Sequence, residues 1–78
     1  MENQEKYKAV FRESFGIDDS KIHGLNYQDI PEWDSVGHMG LMTSLEEAFN
    51  IEMEIDDIID FSSFEKGKEI LSKYSVIV

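Results

Sequence analysis

Ser35 is the residue on which chemistry can be built, because it follows an acid, Asp34, where an irregular stretch gives way to a helical pattern. A serine at a helix start either caps the helix or stands open to an outside enzyme. A phosphate esterified there would lie beside the unpaired N–H groups of the first turn and the positive end of the helix dipole. Asp34 itself either caps the helix or contacts the metal or basic groups of a modifying enzyme. Nothing in the chain turns Ser35 into a nucleophile of its own. The histidines are His23 and His38. A Ser-His-Asp relay needs an imidazole aimed at the hydroxyl, and His38 lies less than a full turn on, toward the core-facing side. It reads as a partly buried structural residue, and the chain reads as a non-enzyme with no catalytic residue. Glu52, Glu54, Asp56, Asp57 and Asp60 lack the glycine and terminal Glu of a calcium loop, so they read as a solvated acidic face rather than a metal site. Without cysteine there is neither a thiolate zinc site nor a disulfide.

The elements that must position Ser35 follow from periodicity. Tyr7, Val10, Phe11 and Phe15 recur at helical spacing and predict a first helix from Glu2 to about Phe15, ended by Gly16. From Ile17 to Trp33 no period persists, and Gly24, Asn26 and Pro31 punctuate a long ordered loop. Ile17, Ile22, Leu25, Tyr27 and Ile30 are expected to pin it across the other elements. Loops of that length in a small domain usually carry function. A second helix is expected from Asp34 or Ser35 to about Phe49, and a short helical turn near Asp56 to Asp60. Ser62 and Glu65 fit a capping box for a last helix, whose buried face is Ile70, Leu71 and Tyr74. Residues Asn50 to Ile55 alternate too briefly for a sheet. The expected fold is one domain over residues 1–78, an all-α small bundle of three main helices plus one short helix, with a long loop between the first two.

The second helix has more apolar surface than one core can use. Leu41, Leu45, Ala48 and Phe49, flanked by Met42, fall on one side and suffice to face the core. Val36, Met39 and Thr43 follow another side with Gly40 and Glu47. Either the helix is buried nearly all round, or this second side is a partner-docking strip that begins beside Ser35. Gly37 and Gly40 each cost about 1 kcal/mol against alanine in a helix. Either the first turns are loose or another backbone comes close there.

Charge is unevenly spread. The 78 residues carry a net charge of −10, and no Lys or Arg occurs between Lys21 and Lys66, where 11 of the 17 acids lie. The flanks together are nearly neutral. Such a field repels nucleic acid and anionic membranes and draws in basic protein surfaces. No apolar run is long enough to span a bilayer, so no membrane insertion is expected. The acidic opening Met1-Glu2-Asn3 lacks the features of a secretory leader, and a cytoplasmic monomer is expected.

Asp34-Ser35-Val36 resembles the Asp-Ser-Leu attachment motif of the acyl carrier protein family. Leu41 and the run Leu45-Glu46-Glu47-Ala48-Phe49-Asn50-Ile51-Glu52 resemble that family's second helix and its exit. The flanking lengths and the acidic middle fit as well, so the resemblance covers nearly the whole chain. It implies that a phosphopantetheinyl transferase, using coenzyme A and magnesium, attaches 4′-phosphopantetheine to Ser35. The arm's thiol would then carry an acyl or aminoacyl thioester between a loading ligase and acyltransferase or synthase enzymes with basic docking surfaces. Val36, Met39, Glu46, Glu47 and Glu52 match positions that the family uses for docking, and Thr43 lies on the same strip. Met42, Phe49 and Met53 either enclose a flexible chain or pack the core, the core role being favoured. The departures narrow the comparison. Members serving fatty-acid synthesis carry acids two and five places after the serine, where this chain has Gly37 and Gly40. Val36 replaces leucine, and Glu32-Trp33 replaces a glycine-rich approach. Trp33 through Met39 looks more like stand-alone carriers in specialised pathways, such as surface-glycan or secondary-metabolite assembly. The alternative reading is an unmodified acidic helical module that regulates a basic partner, in which Glu46, Glu47 and Asp57 carry the interaction.

Overall fold

The computed structural model describes residues 2–78, with the side chains of residues 3–78. Four helices follow one another: α1 Glu2–Phe15, α2 Ser35–Phe49, α3 Ile55–Asp60 and α4 Phe64–Ser72. The fold is the small all-α bundle that the periodicity predicts, with α3 as the short member. A 3-10 turn at Asp19–Lys21, which the sequence pattern did not suggest, interrupts the long loop.

α1 forms because Tyr7, Val10, Phe11 and Phe15 share one face, and all four are buried. It stops at Gly16, whose φ of 65° suits a residue without a Cβ. The Arg12 guanidinium then reaches Asp19 of the 3-10 turn at 2.6 Å. The core is largely aromatic. Phe11 meets Tyr7, Phe15, Trp33 and Phe64 edge to face, at ring separations of 5.1 to 5.9 Å. The Tyr7 hydroxyl donates to the Phe64 carbonyl at 2.7 Å, so its polar end is satisfied inside the bundle. Burial, helped by the Glu65 charge, pushes its ionisation far above the usual phenol range. α4 comes so close here that a Cβ on Gly67 would run into the Tyr7 hydroxyl and the Phe61 ring.

The loop between α1 and α2 is ordered by what it buries. Ile22 and Leu25 enter the core, and Ile17, Tyr27 and Ile30 pack against it. Its backbone is stitched to the α3–α4 junction: Tyr27 N–H donates to the Ser62 carbonyl and Phe64 N–H to the Leu25 carbonyl, both at 2.9 Å. This pairing corrects the expected Ser62–Glu65 capping box. The loop takes the Ser62 carbonyl, and Ser63, whose backbone is extended, caps α4 by accepting from Lys66 N–H at 2.9 Å. Lys66 stands where a capping box needs Glu or Gln, so the reciprocal bond does not form.

In α2, Leu41, Met42 and Leu45 are buried, while Ala48 and Phe49 pack against the core from its edge. Val36, Met39, Gly40, Thr43 and Glu47 are exposed. Burial nearly all round the helix is therefore excluded. α2 ends on Asn50, which takes up a left-handed φ of 55°, a conformation asparagine tolerates better than most residues.

Candidate functional site

The approach to Ser35 is fixed from below. Trp33 is completely buried, and its ring packs nearly parallel to Phe15 at 5.4 Å. The next residue, Asp34, is extended and caps α2. Its Oδ1 accepts from Gly37 N–H at 2.8 Å, and its carbonyl accepts from His38 N–H at 2.7 Å. Ser35 is thus the first helical residue, and its side chain is exposed. Gly37 is the place of close approach: a Cβ there would strike the backbone carbonyl of Glu32. Around Gly40 the same test finds open space, so crowding accounts for one glycine and not the other.

His38 ties three segments together. The Trp33 indole N–H, a donor only, reaches His38 Nδ1 at 2.9 Å, so Nδ1 accepts and the ring proton sits on Nε2. Nε2 donates to the Ile58 carbonyl at 2.7 Å, which fastens α3 to the start of α2. Both ring nitrogens are occupied, and neither addresses Ser35. Trp33 and His38 occupy the positions of a hydrophobic staple, the residue before the cap and the fourth helical residue. That spacing is visible in the sequence and could have identified the pair.

A cleft of about 320 Å³ opens beside Ser35, walled by Tyr27, His38 and Met39 on one side and by Ile58 and Ile59 on the other. A larger groove of about 390 Å³ lies between α1 and α2, lined by Val10, Glu13, Ser44 and Glu47, and Ser35 takes no part in it. The cleft at Ser35 sets an exposed hydroxyl beside a mostly apolar lining. Among the described residues no three His, Cys, Asp or Glu side chains converge as metal ligands. No helix there is long and apolar enough to cross a membrane.

The other residues singled out from the sequence divide into free and engaged groups. Glu47 and Glu52 are exposed. Glu46 is half-buried, and its Oε2 accepts from Met53 N–H at 2.8 Å, where it orders the turn after α2. Met42 and Met53 are buried in the core. Asp57 does not belong to a solvated acidic face. It is buried, accepts from Lys73 Nζ at 2.8 Å, and accepts from the Tyr74 hydroxyl. These hydrogen bonds, that from Lys73 first, hold its carboxyl below the usual range. The Tyr74 oxygen in turn accepts from Glu54 N–H at 2.8 Å. The sequence reading also missed Ile55 and Ile59, which α3 turns outward. Their spacing of four residues was the available signal. No family model matches the chain, and neither a curated protein nor a solved structure matches it.

Proposed function

We propose that this chain is a carrier protein that holds 4′-phosphopantetheine on Ser35 and moves a thioester-bound acyl or aminoacyl group between enzymes of a biosynthetic pathway. The observation that carries the reading is the exposure of Ser35 as the first residue of a capped helix, beside a mostly apolar cleft, with no base directed at it. A hydroxyl without its own base suits a residue that is modified by another enzyme rather than one that attacks a substrate.

The residues present fit such a group. Asp34 spends its Oδ1 on Gly37 N–H, leaving the first-turn N–H groups of Ser35 and Val36 without helical partners. A phosphodiester on Ser35 would sit at that positive end. Trp33 and His38 keep the first turn rigid beneath it. Met39, Ile58 and Ile59 offer the near part of an attached arm an apolar bed. When bound, the arm supplies the thiol that forms the cargo thioester. In the attachment step, the Ser35 oxygen forms the new bond to phosphorus, its proton leaves to a base on the transferase, and the nucleotide half of coenzyme A departs.

Co-expression with a broad-specificity phosphopantetheinyl transferase tests the reading by intact mass. The expected result is one added phosphopantetheinyl group, absent in Ser35→Ala. Wild-type protein that stays unmodified under those conditions overturns it.

A further inference from the structure

We infer that the cargo on Ser35 is a short acyl or aminoacyl group that rides outside the bundle, because His38 seals the entrance beside Ser35. The inference rests on Ser35 being the attachment point, and it narrows the cargo of that reading to groups that need no shelter from water.

The cleft at Ser35 is the mouth of the gap between α2 and α3. Met39 of α2 stands on one side and Ile58 and Ile59 of α3 on the other, and His38 and Phe61 complete its lining. An alkyl tail leaving Ser35 would have to pass here to reach the core. The His38 ring closes the way. Its Nδ1 accepts from the Trp33 indole at 2.9 Å and its Nε2 donates to the Ile58 carbonyl at 2.7 Å, so it is bonded to both sides of the gap. Three aromatic rings close around it, Tyr27 at 5.5 Å and Trp33 and Phe61 at 6.2 Å. Trp33, Phe61 and Met42 are all buried, at 0 to 1% exposure.

Admitting a tail would break both bonds of His38. The Trp33 indole can only donate, and it would be left buried without a partner, the costly way to lose a hydrogen bond. Protein interiors are close-packed, so added methylenes enter only by displacing side chains. The two methionines best able to yield, Met42 and Met53, already pack the core. Outside the seal, a tail could lie only along Met39, Ile58 and Ile59, with its other side in water. A long alkyl cargo would keep most of its methylenes hydrated there. An acetyl-sized or amino-acid-sized group has little apolar surface to hide.

The experiment loads the full protein with acetyl, octanoyl and dodecanoyl arms, each transferred from its acyl-coenzyme A by a broad-specificity phosphopantetheinyl transferase. In each case the Ser35 oxygen gains the bond to phosphorus, its proton passes to the transferase, and the nucleotide half of coenzyme A leaves. Hydroxylamine then reports access to the thioester: its nitrogen attacks the carbonyl, and the arm leaves as the thiol. Cleavage rates of the three forms should agree within about twofold, and their melting midpoints within about 2 °C. Trp33 is the single tryptophan, so its indole N–H gives one NMR signal, expected at the same position in all three. A dodecanoyl thioester cleaved about tenfold more slowly than the acetyl one, with a raised midpoint and a moved indole signal, would overturn the inference and leave the Ser35 reading intact. His38→Ala opens the seal and should slow cleavage of the dodecanoyl form but not of the acetyl form. Equal rates in that variant would overturn the role of His38, and the wild-type comparison decides the rest even where the variant does not fold. If wild type accepts neither coenzyme A nor its acyl forms, the Ser35 reading falls and takes the inference with it.

Discussion

Gly37 and Gly40 have the same residue type, the same helix and nearly the same sequence context, yet they are under opposite constraints. A methyl group on Gly37 would meet the Glu32 carbonyl, a backbone atom that cannot swing aside. A methyl on Gly40 would meet nothing. Gly37→Ala should therefore destabilise the fold by about 1–3 kcal/mol through overpacking. Gly40→Ala should stabilise it by about 0.5–1 kcal/mol through helix propensity. Thermal melts of the two variants check this, with midpoint shifts of opposite sign expected and shifts of the same sign counting against it. The consequence for the site is direct. Close passage of Glu32 over Gly37 lets Trp33 enter the core one residue before the cap, and that leaves Ser35 on the rim. Sequence alone posed the choice between a loose turn and a close backbone. It could not resolve it, because the approaching atom belongs to a residue whose path depends on where Trp33 is buried.

α3 is the element whose local pattern misleads most. Six residues with three acids read as a solvated turn, and its presence and approximate bounds were legible on that basis. The role of Asp57 was not, because its partners Lys73 and Tyr74 lie 16 and 17 residues away and meet it only once α4 has packed. The cap of α4 slipped by one residue for a similar reason, since the loop that pairs with Ser62 comes from before α2. Signals confined to one element were readable: a start of α2 at Asp34 or Ser35, the glycine stop of α1 and the second apolar side of α2, whose exposure only the packing decided. The Asp57 contacts also set a pH window. Its carboxyl is held below the usual range by Lys73 and then Tyr74, whereas Lys73 is raised chiefly by its bond to Asp57, and Tyr74 chiefly by desolvation and then by Asp57. The folded state thus binds fewer protons than the unfolded chain on the acid side, and more on the alkaline side. The latch stabilises fully at neutral pH. Its contribution falls as pH drops below the ordinary carboxylate range, and again as pH climbs through the elevated phenol and ammonium ionisations. Urea unfolding across pH should show Asp57→Asn losing stability at pH 7 and converging toward wild type in acid. A loss of equal size at both ends would mean that Asp57 acts by packing rather than by charge.

At the scale of the whole molecule, the excess negative charge must be held on a body measuring only 29 × 27 × 19 Å. The screening length is about 30 Å at 0.01 M salt and about 3 Å at 1 M. In dilute buffer every acid therefore feels most of the others, and in strong salt only its neighbours. Several ion pairs offset little of this. Lys8–Glu5, Lys66–Glu69 and Lys68–Glu65 join residues three apart within α1 and α4, and exposed pairs of that kind contribute at most about 1 kcal/mol each. The acidic middle has Asp57–Lys73 inside the fold, and no other ion pair among the described residues reaches the acids between Lys21 and α4. Repulsion concentrated there opposes compaction of the segment that carries Ser35 and its cleft. Raising salt from about 10 mM to about 0.5 M should then raise the melting midpoint, the reverse of what a fold held by surface ion pairs would do. Glu52→Gln removes one exposed charge from the repulsive segment. It should raise the midpoint in dilute buffer by an amount within the few tenths of a kcal/mol typical of surface changes, and shrink the rise on adding salt. Calorimetric melts of wild type and Glu52→Gln at both salt concentrations decide it: a midpoint that falls with salt, or a variant with an undiminished salt response, would mean that the charge is spread widely enough to cost the fold nothing.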